Sequence, residues 1–166
     1  RFVAVPDKGL DRVLVFRFDA KAGRVEPANP PFVASRSGAG PRHIAFHPKL
    51  PVAWVANEMD SSVTTYRWNR TTGALSPIGV TLTLPGDFNG ENTSSEIMFH
   101  APTRTLYVSN RGHDSLALYR TGFERIANES YVVPLMSGVT NYAFRKGLDW
   151  TVPADGYPLL YMAGWK

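Results

Sequence analysis

The chain has no cysteine, which excludes a disulfide framework and any thiolate-bound metal centre. That fits a reducing compartment, and a cytoplasmic location is expected. No apolar run approaches the roughly 20 residues needed for a membrane-crossing helix, so no membrane partner is expected. Basic residues number 18 against 14 acidic ones. They stand singly, without the basic stripe or face that marks nucleic-acid binding. No stretch shows the apolar period of an amphipathic helix. A Gly-x-Ser-x-Gly elbow, a closely spaced histidine pair and a glycine-rich loop opening a helix are also missing. Those gaps argue against serine-hydrolase, zinc and nucleotide-binding readings. No signal-peptide pattern opens the sequence, and its first residue is Arg1 rather than Met, so the start reads as trimmed.

What is present is a repeat. Glycine and proline, 14 and 13 of the 166 residues, fall in short clusters between brief apolar stretches, as turns do between strands. Ile44-Ala45-Phe46-His47-Pro48 returns 53 residues later as Ile97-Met98-Phe99-His100-Ala101-Pro102. The same offset relates Val52–Asn57 to Thr105–Asn110, and Tyr66-Arg67 to Tyr119-Arg120. An earlier copy, at an offset of 50, runs from Val3 through Phe18, and its Asp19–Gly23 matches the hairpin Asn69–Gly73. A weaker copy includes Tyr142–Phe144 and Leu159–Trp165.

Within the second copy, four strand-length stretches stand out: Arg42–Phe46, Val52–Val55, Ser62–Trp68 and Leu75–Leu82. Four strands in a repeat of about fifty residues is the pattern of a β-propeller blade; a β-sandwich with accidental similarity is the competing reading. The expectation is an all-β fold, a β-propeller of four-stranded antiparallel blades. About three and a half blades are present, with copies at about 1–40, 41–93, 94–139 and 140–166 and no separate second domain. One blade cannot cover its own faces. Partner surface is therefore expected from the remaining blades of the ring or from another copy of the chain.

The repeat also separates scaffold from exceptions. Phe46/Phe99, Val55/Val108 and Tyr66/Tyr119 recur and read as core. Two tiers instead change charge from copy to copy. At the start of the innermost strand stand His43, Glu96 and Asn141; just beyond the second strand stand Lys8, Glu58, Arg111 and Trp165. In a propeller the innermost strands line the central channel and the inter-strand turns lie at its mouth, so the polar groups of the two tiers are expected to converge on one pocket. His and Glu suit acid–base work, and the Arg fork suits carboxylate or phosphate. Each such residue also has a plain structural use. His47 and His100, beside prolines, are expected to do structural work, and His113 divides between a turn role and a site role.

At these residues the sequence resembles a known family. Gly40–Pro48, Asn57–Val63, Gly90–Ile97 and above all Tyr107-Val108-Ser109-Asn110-Arg111-Gly112-His113-Asp114-Ser115 resemble the motifs of the lactonase propellers. That family includes bacterial propeller-type 6-phosphogluconolactonases and fungal carboxymuconate-lactonizing enzymes. The resemblance implies a seven-bladed ring that opens or closes a lactone, with an anionic lactone as partner and no metal or organic cofactor. It makes Glu58, Arg42 and His43 the catalytic candidates, with Glu58 handling a proton. Arg111, Glu96, Asn110 and His113 become the substrate-binding candidates. It also puts the family's catalytic histidine in a blade preceding Arg1. Hydrolysis of 6-phosphogluconolactone is the leading expectation, with a chain of this extent inactive by itself. A lactonizing enzyme of the same family and a non-catalytic binding scaffold are the alternatives.

Overall fold

Runs of β-branched and aromatic residues between tight turns form ten strands in the first 120 residues. The computed structural model describes residues 1–120 together with two short strands, at 148–149 and 164–165. In chain order these are β1 (Phe2–Asp7), β2 (Arg12–Asp19), β3 (Arg24–Ala34), β4 (Pro41–Phe46), β5 (Val52–Asn57), β6 (Ser62–Trp68) and β7 (Leu75–Leu82). Then follow β8 (Thr93–His100), β9 (Thr105–Arg111), β10 (Ser115–Arg120), β11 (Leu148–Asp149) and β12 (Gly164–Trp165). The sheets are β1-β2-β3, β4-β5-β6-β7, β8-β9-β10 and the pair β11-β12, all antiparallel between sequence neighbours. Among the described residues there is no helix, hence none long and apolar enough to cross a membrane. The all-β, partial-propeller expectation holds. Apart from Gly164–Trp165, the segments read as a weaker fourth copy, with Asn141, lie outside the described residues.

The second sheet shows why strands of a blade need neighbours on both faces. Side chains alternate across a strand, and along β5 they enter two separate cores. Val52, Trp54 and Ala56 pack with Ile97, Leu106, Val108, Ala117 and Tyr119 of the third sheet. Ala53 and Val55 pack with Val13, Val15 and Ala28 of the first. Every residue of β5 is buried as a result. Trp54 is wholly enclosed and stacks on Phe99, with ring centroids 5.1 Å apart. β5 runs two residues beyond the expected end at Val55, because Asn57 Nδ2 bonds the hydroxyls of Ser62 and Thr64 at 2.8 Å and carries the pairing to the turn.

Turn chemistry repeats with the strands. Asp19 Oδ1 accepts the amides of Lys21 and Ala22, and Asn69 Oδ1 accepts those of Thr71 and Thr72, at 2.9–3.1 Å. These are the same Asx turn in successive copies. His47 Nδ1 caps its own turn in this way, accepting from Leu50 at 2.8 Å, and His100 Nδ1 lies 2.8 Å from Thr103 Oγ1. Both histidines have the local structural role expected of them. The hairpin after the second strand of each copy holds a residue with positive φ at one position, namely Asp11, Ser61 and Asp114.

Candidate functional site

The hairpins after β1, β5 and β9 place Lys8, Glu58 and Arg111 at equivalent positions of three neighbouring sheets, and the three side chains meet. Glu58 Oε1 accepts from Arg111 at 2.9 Å and from Lys8 at 3.3 Å; its Oε2 accepts from Arg42 Nη1 at 2.6 Å. Equivalent residues of rotationally related blades approach one another only near the rotation axis, so this cluster marks the channel mouth. The Glu58 side chain is 8% exposed, whereas those of Lys8 and Arg111 are about half exposed. Burial alone would raise the carboxyl's pKa. The bonds and charges of Arg42 and Lys8 outweigh that and hold it below the ordinary Glu value. A carboxylate kept ionised in this way accepts protons poorly near neutrality. Its surroundings therefore favour anchoring the cations over the proton-handling role implied by the resemblance.

Backbone bonds from both neighbours fix Glu58. Its N–H donates to Gly40 O at 2.7 Å, and its carbonyl accepts from Ser94 N at 3.1 Å. The loop that carries Gly40 is tied in turn by Asp11, whose carboxylate accepts from Gly38 and Gly40 amides at 2.7 and 2.8 Å. These bonds lower the Asp11 pKa. Gly40 has φ 63°, and a Cβ there would lie 2.5 Å from Met59 Cγ, so only glycine lets the loop come this close. Arg42 itself sits in a β-bulge. The register of β4 against β5 shifts between Pro41 and His43, and a bulge re-aims the side chain it carries. The corresponding bulge in β8 falls between Ser94 and Ile97 and carries Glu96.

The second tier also converges. His43 Nδ1 lies 2.9 Å from Glu96 Oε2, and Glu96 Oε1 accepts from the Ile97 amide, also at 2.9 Å. The Glu96 amide is held by Ser109 Oγ at 2.9 Å. Both side chains are partly open, 34% and 39% exposed.

Asn110 and His113 are placed differently from the other candidates. Asn110 is 4% exposed, and its amide is consumed within the interior. Its Oδ1 accepts from Thr83 Oγ1 and Ser94 Oγ at 2.7 and 3.1 Å, and its Nδ2 donates to Thr83 O at 2.9 Å. That network joins the second sheet to the third. His113 Nδ1 contacts Ser115 Oγ at 2.6 Å, and its ring meets Phe88 edge-on at 4.6 Å. Its backbone N–H donates to Asn92 Oδ1 at 3.1 Å, so His113 shapes the turn rather than joining the Glu58 cluster. Lys8 is the reverse case. It shares the tier of Glu58 and Arg111 in the repeat but is absent from the candidate set, because a single lysine after a strand carries no motif. No group of three or more His, Asp or Glu side chains fit to hold a metal ion occurs among the described residues.

Repeated antiparallel sheets of three or four strands, with Lys8, Arg42 and Arg111 gathered on Glu58, define part of a β-propeller. The comparisons are specific about which one. The family model "Lactonase, 7-bladed beta-propeller" matches residues 1–127, and the chain belongs to that family. It is 36% identical over 118 residues to a 6-phosphogluconolactonase of Bacillus subtilis, covering 71% of this chain and 33% of that protein. The chain thus spans about a third of the length of the curated relatives it matches. Among solved structures, a periplasmic gluconolactonase of Pseudomonas aeruginosa is similar with a TM-score of 0.74 at 24% identity, over 93% of this chain and 42% of that one. A protein from Lactobacillus plantarum is similar with a TM-score of 0.63 at 27% identity, over 80% of this chain and 35% of its own.

Proposed function

We propose that this chain contributes the anion-binding part of a lactone-hydrolysing site, and that the substrate is a phosphorylated sugar lactone, 6-phosphogluconolactone. The observation that carries the reading is the meeting of Lys8, Arg42 and Arg111 on the single carboxylate of Glu58. Three cations around one anion leave an excess of positive charge at the channel mouth. A neutral ligand would gain nothing from that excess; a phosphate or carboxylate would be drawn in and held by planar guanidinium donors. In this reading Glu58 fixes the orientation of the cations. Arg42 and Arg111 hold the anionic substituent and steady the oxyanion that forms when the lactone carbonyl is attacked. The relation to the Bacillus enzyme supports the choice of substrate. Phosphate esters of sugars are retained inside cells, so the reading puts the protein in the cytoplasm.

The test is lactone opening followed by acid release, with spontaneous hydrolysis subtracted. The intact protein, with its whole propeller ring, should accelerate hydrolysis of 6-phosphogluconolactone. Arg111→Ala should raise KM for this substrate by about tenfold, the effect of roughly 1.4 kcal/mol, and should leave KM for unphosphorylated gluconolactone nearly unchanged. Absence of acceleration, with Arg42→Ala and Glu58→Ala also without effect, would refute the assignment. Turnover of a carboxymuconate in its place would move the protein to the lactonizing branch of the family.

A further inference from the structure

We infer that His43 is a catalytic base of the lactone-opening step and that Glu96 is its positioning residue, a reading that rests on the function proposed above. A carboxylate only accepts hydrogen bonds, so the 2.9 Å contact with Glu96 Oε2 puts the proton of the neutral ring on Nδ1. Nε2 is then the basic nitrogen, and among the described residues it has no bonding partner. The carboxylate is itself held in place. Its other oxygen accepts from the Ile97 amide, and the backbone N–H of Glu96 donates to Ser109 Oγ. This is the arrangement in which an acidic residue holds an imidazole in one tautomer and orientation and then steadies the imidazolium.

Placement supports the same role. His43 and Glu96 occupy one repeat position in neighbouring sheets, and their contact puts them beside the axis. His43 follows Arg42 directly in β4, next to the cationic cluster. The other carboxylate of the site is a poor base, because Arg42 and Lys8 keep Glu58 ionised. The side chains of His43 and Glu96 are both partly exposed.

The step balances without any further reagent. Nε2 takes a proton from a water molecule as the water oxygen bonds to the lactone carbonyl carbon, giving a tetrahedral oxyanion opposite the arginines. The oxyanion collapses, the bond from the carbonyl carbon to the ring oxygen breaks, and the imidazolium returns its proton to that oxygen. Water and lactone become one hydroxy acid.

The experiment compares His43→Ala, Glu96→Gln, Glu96→Asp and His100→Ala with the parent protein. His43→Ala should lower kcat by about 10²–10⁴-fold, and added imidazole should restore part of it. Glu96→Gln should lower kcat by on the order of 10²-fold with KM little changed, and Glu96→Asp should recover part of the loss. His100→Ala, at the far end of β8, should match the parent. A parent enzyme that opens the lactone while His43→Ala keeps its rate would overturn the dyad and leave the proposed function standing. A parent without lactone-opening activity would overturn the proposed function and the catalytic role together. Ring ¹⁵N NMR tests the geometry without substrate. The neutral His43 ring should carry its proton on Nδ1; a neutral ring protonated on Nε2 instead overturns the assignment.

Discussion

Val5, Val55 and Val108 are the same residue at the same repeat position in three successive sheets, yet Val5 is 40% exposed while the other two are fully enclosed. Each valine faces the preceding sheet. Val55 meets Val13 and Val15 of the first sheet, and Val108 packs in the core shared with Val52 and Trp54 of the second. Val5 has no preceding sheet to meet among the described residues. The same contrast runs along the whole strand, since β5 is buried throughout while β1 alternates between half-buried and exposed. The burial of a residue in this repeat is thus set by the neighbouring sheet, because the hydrophobic gain depends on area removed from water.

The largest break in that contrast should come from Trp54→Ala. Its ring fills the core between the second and third sheets, and the loss should be about 3–5 kcal/mol in denaturant unfolding. Next is Val55→Ala, at about 1.5–3 kcal/mol, from removing two wholly buried methyl groups and leaving a cavity.

Glu58→Gln should cost on the order of 2 kcal/mol, because it strands the cations at the polar end of the same interface; their partial exposure keeps the cost below that of a fully buried pair. It should also flatten the acid side of the stability profile. The native Glu58 pKa lies below the unfolded one, so the unfolded chain binds its proton first as pH falls. The stabilisation is complete above the ordinary Glu value and fades as pH drops through it toward the native value. Thermal melts between pH 6 and pH 3, parent against variant, measure this directly; parallel curves would contradict it.

Gly112→Ala sharpens the comparison from the other side. Gly112 has φ 115°, and a Cβ there would lie 2.2 Å from the Glu91 carbonyl oxygen. Backbone has to move, so Arg111 should lose its place on Glu58. The expected readout is a rise in KM for the anionic lactone with a stability loss of about 1–2 kcal/mol. The smallest effect belongs to Val5→Ala, within about 0.5 kcal/mol as for other open surface sites. If the loss in the native protein instead matched that of Val55→Ala, a further blade would be shown to cover this face.

Much of the fold could be read directly because it is periodic. A repeat of about fifty residues with four apolar stretches has few solutions, and Val52–Asn57 against Thr105–Asn110 fixed the offset. The two charged tiers were visible for the same reason, since Lys8, Glu58 and Arg111 break the pattern at one position. Sequence gave no means of ranking residues within a tier. His113 and Asn110 share the Arg111 motif, yet one shapes a turn and the other is spent on Thr83 and Ser94. Lys8 carries no motif and still reaches Glu58. The Asp11 bonds that hold the Gly38–Gly40 loop also left no mark, because a lone aspartate in a hairpin most often serves only its own turn.

The propeller mouth is thus known at two depths. The repeat of short strands and the position of each charged tier follow from the sequence alone, since side-chain alternation and turn chemistry act over a few neighbouring residues. Which charges touch was decided only by the tertiary structure. The pairings of Glu58 with Arg42, Lys8 and Arg111, and of His43 with Glu96, join residues 16 to 53 positions apart. The contacts of Glu58 with Lys8 and Arg111, and of His43 with Glu96, exist only once successive sheets lie side by side, and the bulges that carry Arg42 and Glu96 are set by register between strands.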